Sequence, residues 1–202
     1  MRARRTFMLV LSLGLLALSC SEDDGRTLPP PDPRRTTTSV SAPVVAHPSD
    51  GSVVEVFSLS SSSFTDGGVI PERHTCRGAG TSPPLAWAST PPAAELALVV
   101  RDQDAPGFVH WVVTGIDPIV QGLGEAGLPE GAVEAANSTG TIGWFGPCPP
   151  AGSGTHTYVF TLHVLPEPLT LAPGTPGADA ARQVEGASAA EAILTGTVAA
   201  TG

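Results

Sequence analysis

The chain contains no lysine. All ten basic residues are arginine, set against 19 Asp and Glu, and only 14% of the 202 residues are charged. With a net charge of −9, it lacks the positive footprint that a phosphate backbone requires, which argues against a nucleic-acid partner. Aromatic residues are scarce at 5%, with a single tyrosine. No G-x-S-x-G elbow, P-loop or H-E-x-x-H occurs, so the common hydrolase, NTPase and zinc-protease signatures are missing. What is abundant is glycine, at 23 residues, and proline, at 21. Together they exceed a fifth of the chain, which disfavours a helical bundle and favours a loop-rich, mostly β domain. The length suits one such domain with some additional chain.

The additional chain is expected at the N-terminus. Arg2, Arg4 and Arg5 precede an apolar run, Phe7 to Leu18, interrupted only by Ser12 and Gly14. Its 12 residues fit a secretory signal and fall short of the ~20 needed for a spanning helix. Cys20 follows small residues directly, and the arrangement resembles a bacterial lipoprotein signal in which that cysteine becomes the lipidated first residue. Ala17 departs from the branched aliphatic residue that pattern prefers. Acyl chains on Cys20 would hold the protein at a membrane surface without a spanning segment, each buried CH₂ contributing about 0.8 kcal/mol. The expectation is therefore an exported protein, lipid-anchored at a bacterial envelope membrane on its periplasmic or outer face. Residues 1–19 form the signal and residues 20–51, rich in Pro, Ser and Thr, form a disordered tether that cannot bury a core. Loss of residues 1–19 takes three arginines and moves the net charge to −12.

Residues 52–202 form the expected folded domain. Short apolar runs at Val53–Leu59, Leu85–Trp87, Glu95–Val100, Phe108–Ile116 and Thr157–Leu165, separated by Gly, Pro and Ser, read as strands. Both faces of Glu95–Val100 are apolar, as befits a central strand. Ala187–Leu194 reads as helix-compatible and Asp179–Val184 as a short helical turn. The fold class is all-β dominated, an antiparallel β-sandwich with short peripheral helices near the C-terminus. Outside the cytosol, with Cys20 acylated, Cys76 and Cys148 remain as a candidate disulfide pair, the alternative being two buried thiols.

Polar residues collect where strands meet proline-rich loops, at Asp102-Gln103-Asp104-Ala105-Pro106, His110-Trp111, Gly146-Pro147-Cys148-Pro149-Pro150 and His156-Thr157-Tyr158. Asp102 and Asp104 end a buried strand and share a face by its period of two. Their alternative role is to hold turn amides before Pro106, itself a candidate cis proline. His110 and His156 can present rings at one sheet edge, with a carboxylate fixing a tautomer. Pro147, Pro149 and Pro150 stiffen a wall, and Trp144 is a candidate lining residue. Trp87, Trp111 and Phe160 are expected in the core, His74 and His163 are expected to be structural, and His47 lies in the tether.

These stretches, with Phe64 to Pro71 (FTDGGVIP) and Thr75 to Trp87 (TCRGAGTSPPLAW), resemble the phosphatidylethanolamine-binding protein family, in particular its bacterial Raf-kinase-inhibitor-like branch, over Val56 to Val198. The resemblance implies a sandwich with a small cavity for phosphate-like anions. Carried over by position, the ligand site comprises Asp102, His110, His156 and Tyr158, with Pro149 and Pro150 in the wall and Asp104 in support. Gly107-Phe108-Val109 is shorter than the family's loop, Thr157 stands where the family has Arg, and no C-terminal aromatic residue closes the cavity. The expected function is a non-catalytic binding module for a small phosphorylated ligand or a protein partner, possessing no cofactor and no metal, and acting as an inhibitor or regulator of an extracytoplasmic enzyme. The alternatives are an enzyme using Asp102, His110 and His156 as metal ligands or as an acid/base pair, and a docking scaffold with a vestigial pocket.

Overall fold

The computed structural model describes residues 56–172 and 174–201, all within the unit Gly51–Gly202. The expected signal, Cys20, the tether with His47, and Val53–Glu55 lie outside the described residues. The chain forms β1 (Ser58–Ser60), β2 (Gly68–Val69), a 3-10 turn (Glu72–His74), β3 (Leu85–Ala88), β4 (Glu95–Asp102), β5 (Val109–Ile116), β6 (Gly122–Leu123), β7 (Val133–Glu134), β8 (Thr155–Leu165), α1 (Gly177–Ala187) and β9 (Ala190–Ala199). Two sheets result, one ordered β1-β3-β6 and the other β2-β9-β8-β4-β5-β7. All pairings of named strands are antiparallel except β2 with β9.

The core follows from strand periodicity. On β4, Leu96, Leu98 and Val100 face the interior between the sheets, where Trp87, Trp111, Val113, Phe160 and Leu162 meet them. Ala97 and Val99, on the opposite face, lie under Ala180, Ala181 and Val184 of α1. β4 is apolar on both faces because a sheet covers one and a helix the other.

One segment corrects the sequence reading. Ala190–Leu194 is strand, and the helix ends at Ala187. Alanine content favours a helix there, but Ala192, Leu194, Gly196 and Val198 are buried in alternation with outward side chains, so packing of a two-residue period overrides propensity. Gly196 is required in that strand: a Cβ there would stand 2.6 Å from Ile70 Cγ1 and 2.9 Å from Phe64 Cε2. Asp179–Val184 lies inside α1, as a longer helix than a single turn.

The fold brings the ends of three strands together. β4 and β8 pair with Asp102 opposite Tyr158, and β4 and β5 pair with Arg101 opposite Val109. The C-terminal end of β4 and the N-terminal ends of β5 and β8 therefore meet at one edge of the central sheet.

Candidate functional site

Asp102 closes β4 and is occupied on both oxygens. Oδ1 accepts the amides of Asp104 at 2.8 Å and Ala105 at 3.1 Å, and Oδ2 accepts the His156 Nδ1–H at 2.8 Å. Asp104 Oδ2 accepts the Thr157 amide at 2.7 Å. The turn-holding role weighed for these aspartates is thus present alongside any ligand role. The Ala105–Pro106 bond is trans, since no described peptide bond is cis, and the reversal is made instead at Gly107, whose φ is +91°.

His110 is fixed through a loop distant in sequence. Its Nδ1–H donates to the Phe145 carbonyl at 2.7 Å, while the Phe145 amide donates to the His110 carbonyl at 3.0 Å. The ring lies among Phe108 (centroids 4.7 Å), Phe145 (5.7 Å) and the edge of Tyr158 (5.1 Å). Burial holds the His110 pKa below the usual imidazole range, against the opposing pull of the Phe145 carbonyl and Asp102. The ring is therefore neutral, and Nε2 is left as an acceptor.

The 144–150 loop is held by Cys76 and Cys148, which form a disulfide with Cα atoms 5.4 Å apart, and by the Cys76 amide donating to the Pro147 carbonyl. Gly146 packs flat on this segment: a Cβ would sit 2.9 Å from the Thr75 carbonyl carbon.

Between these elements opens a cavity of about 700 Å³. Asp102, Asp104, His110, His156 and Pro150, all named from the sequence, line it. Two of the named residues do not. Tyr158 is completely buried against His110, and its hydroxyl has no partner in good hydrogen-bond geometry among the described residues. Burial, and then the charge of Asp102, holds that phenol far above its usual pKa, so it stays protonated. Pro149 is half-buried beside the disulfide, outside the lining. Trp144 is also absent from the lining. It stacks on Phe160 and meets the edge of Trp111, and its indole N–H donates to the His74 carbonyl.

Sequence reasoning missed Phe108, Phe145, Thr139 and Ser153, which complete the cavity with Ala105 and Cys148. Ser153 Oγ lies 2.9 Å from His156 Nε2. The available signals were a serine between two glycines one turn before His156, and a phenylalanine two residues before His110. Phe145 and Thr139 gave none, since long-range loop packing places them.

Among the described residues no group of three or more His, Cys, Asp or Glu is arranged to hold a metal. Asp102, His110 and His156 do not converge on a point: His156 turns Nδ1 to Asp102 while His110 turns Nδ1 away to Phe145. His74 is buried, with Nδ1 bonded to the Thr81 carbonyl and Nε2 to Ser63. His163 Nδ1 meets Ser188, and its Nε2 is buried without a partner among the described residues.

Comparison with known proteins gives a consistent result. A family model described as phosphatidylethanolamine-binding protein matches residues 60–199. A Mycobacterium tuberculosis protein named "Putative lipoprotein LppC" is 45% identical over 176 residues, covering 86% of this chain and 84% of that one. Two solved structures align with the described fold. A phosphatidylethanolamine-binding protein homologue from Chlamydia trachomatis has a TM-score of 0.64 at 33% identity, covering 71% of this chain and 97% of its own. YbcL of E. coli has a TM-score of 0.66 at 30% identity, covering 70% and 96%. On this agreement of family model, relatives and folds, the chain belongs to the phosphatidylethanolamine-binding protein family.

Proposed function

We propose that this binding protein takes a small phosphate-bearing ligand, of the kind found in phospholipid head groups, into the cavity between Asp102, His110 and His156. It would act by binding, as an inhibitor or regulator of an enzyme outside the cytosol. The observation that carries the reading is His110, whose Nε2 has no partner among the described residues at a cavity wall, while Nδ1 is committed to Phe145. A neutral imidazole presenting Nε2 accepts a hydrogen bond, so the ligand must bring a donor. A zwitterionic phosphoethanolamine brings an ammonium group, and Asp104 at the same cavity is exposed and carries one carboxylate oxygen free of the Thr157 amide. Asp102 repels a phosphate less than a bare carboxylate would, since two amides and an imidazole N–H already engage it.

In this proposal residues 1–19 are the export signal, residues 20–51 the tether, and Cys20 the lipid anchor that displays residues 52–202 at the envelope. Support comes from the cysteine-terminated apolar run and from a relative named as a lipoprotein that covers 86% of this chain.

The test is an NMR titration of the full-length protein in detergent with glycerophosphoethanolamine and, separately, inorganic phosphate. A saturable shift of the His110 and His156 ring signals with the zwitterion, the His156 shift being lost in His110→Ala, is the expected result. Ring signals unmoved by both compounds refute the assignment.

A further inference from the structure

Ser153, His156 and Asp102 stand in one line of hydrogen bonds. Ser153 Oγ is 2.9 Å from His156 Nε2, His156 Nδ1 is 2.8 Å from Asp102 Oδ2, and Asp102 Oδ1 is pinned by the amides of Asp104 and Ala105. A carboxylate oxygen only accepts, so the proton between Asp102 and His156 sits on Nδ1. In the neutral ring Nε2 is then the acceptor, and the Ser153 hydroxyl donates to it. This is the order of contacts that activates a serine: a hydroxyl, a base within hydrogen-bond reach, and a third group fixing the base's tautomer.

The three groups differ in exposure as the chemistry requires. Asp102 and His156 are each 7% exposed, whereas Ser153 is exposed and lines the cavity. Ser153 is presented on a tight turn between Gly152 (φ +76°) and Gly154 (φ +89°), two conformations that other residues rarely adopt. The turn is pinned by Ser153 N–H to the Pro150 carbonyl, Gly152 N–H to the Thr201 carbonyl and Ala200 N–H to the Gly154 carbonyl.

We infer that Ser153 is a nucleophile activated by His156 and held in register by Asp102, and that it cleaves small carboxylic esters seated in the cavity. The class follows from the walls. Ala105, Phe108, Phe145 and Pro150 offer apolar surface to an acyl chain. In the first step Ser153 Oγ bonds to the ester carbonyl carbon and its proton passes to His156 Nε2. The bond from that carbon to the alkoxy oxygen then breaks, and the alcohol leaves with the same proton. In the second step water attacks the acyl carbon and gives a proton to His156, the bond from that carbon to Ser153 Oγ breaks, the acid is released, and Ser153 Oγ takes the proton from His156 Nε2. One ester and one water become one acid and one alcohol. Ser153 and His156 touch the reacting atoms, whereas Asp102 is a positioning residue.

This inference shares the cavity with the binding proposal but does not depend on phosphate recognition. The experiment exposes the full-length protein in detergent to a fluorophosphonate probe and to p-nitrophenyl butyrate. Expected is a covalent adduct mapped to Ser153 by peptide mass spectrometry and absent in Ser153→Ala. Ester turnover should fall about 100-fold in kcat in His156→Gln, the scale of a lost general base. In Asp102→Asn kcat should fall with KM nearly unchanged, a split that a purely structural role would not give, and the His156 tautomer should switch in 15N spectra. Absence of an adduct in the folded wild-type protein, an adduct elsewhere, or labelling at Ser153 indifferent to His156→Gln overturns the inference. Ser153→Ala titrated with glycerophosphoethanolamine keeps the two readings separate. Binding without labelling of the wild type defeats the nucleophile alone, and labelling without binding defeats the head-group reading alone.

Discussion

His110 and Phe145 are tied twice, the imidazole Nδ1–H donating to the Phe145 carbonyl at 2.7 Å and the Phe145 amide donating to the His110 carbonyl at 3.0 Å. The pair joins the start of β5 to the proline-rich loop and commits one ring nitrogen, leaving Nε2 for the cavity. Protonation of His110 would therefore add a donor at Nε2 without breaking the tie to Phe145. Because burial holds that pKa below ~6.5, affinity for a phosphodiester such as glycerophosphoethanolamine should rise as pH falls below that value. Calorimetric titration between neutral and mildly acidic pH measures it. A pH-independent affinity, or one unchanged by His110→Ala, would contradict this role.

Stability should move the opposite way. Burial lowers the pKa of His74, His110 and His163, so the unfolded chain takes up protons on acidification before the fold does. These groups contribute stability that is fully present above ~6.5 and is lost as pH falls through their lowered folded values. For Tyr158 the fold retains the proton, so stability declines as pH rises beyond ~10. Urea midpoints across this range should form a plateau with both flanks falling, and a flat acid flank would refute the first statement.

Asp102 accepts three hydrogen bonds at the end of β4, so Asp102→Ala should destabilise the domain by about 3 kcal/mol. Asp102→Asn retains the oxygen facing the two amides and should cost distinctly less. Equal losses for the two variants in chemical denaturation would show that the turn amides are not what Asp102 secures.

The Cys76–Cys148 bond closes a long loop, with a sequence separation of 72. Restricting the unfolded chain over that length is worth about 4 kcal/mol by chain entropy. The double variant Cys76→Ala/Cys148→Ala should lower the urea midpoint accordingly and loosen the loop carrying Phe145, seen as broadened His110 ring signals. An unchanged midpoint would deny the bond this role.

Gly146 has backbone on the side where a Cβ would point, 2.9 Å from the Thr75 carbonyl carbon and 3.0 Å from the Cys76 nitrogen. Backbone cannot swing aside as a side chain can, so Gly146→Ala should destabilise by about 1–3 kcal/mol. It should also displace Phe145 from His110. Wild-type thermal stability in this variant would show that the loop can shift without cost.

How much of this was legible follows from the range of each interaction. Alternation in Glu95–Val100 and Thr157–Leu165 marked the central strands because side-chain direction along a strand is a local property. The ordered motifs around Asp102, His110 and His156 marked one edge of the sheet, and the cavity lies there. The alanine-rich run after Ala187 misled because helix propensity is also local, whereas its strand state is decided by pairing with β8. Tyr158 shows the same limit: its position was readable, but only the packed aromatic cage turned it behind His110 and away from the cavity. By itself the sequence determined the charge, the single-domain size, the strand pattern and the residues able to meet at one edge. Tertiary structure alone decided that Phe145 would hold His110, that Cys76 would reach Cys148, and that Ser153 would align with His156 and Asp102. Those contacts are set by loops folding across dozens of residues, where no periodicity links one partner to the other.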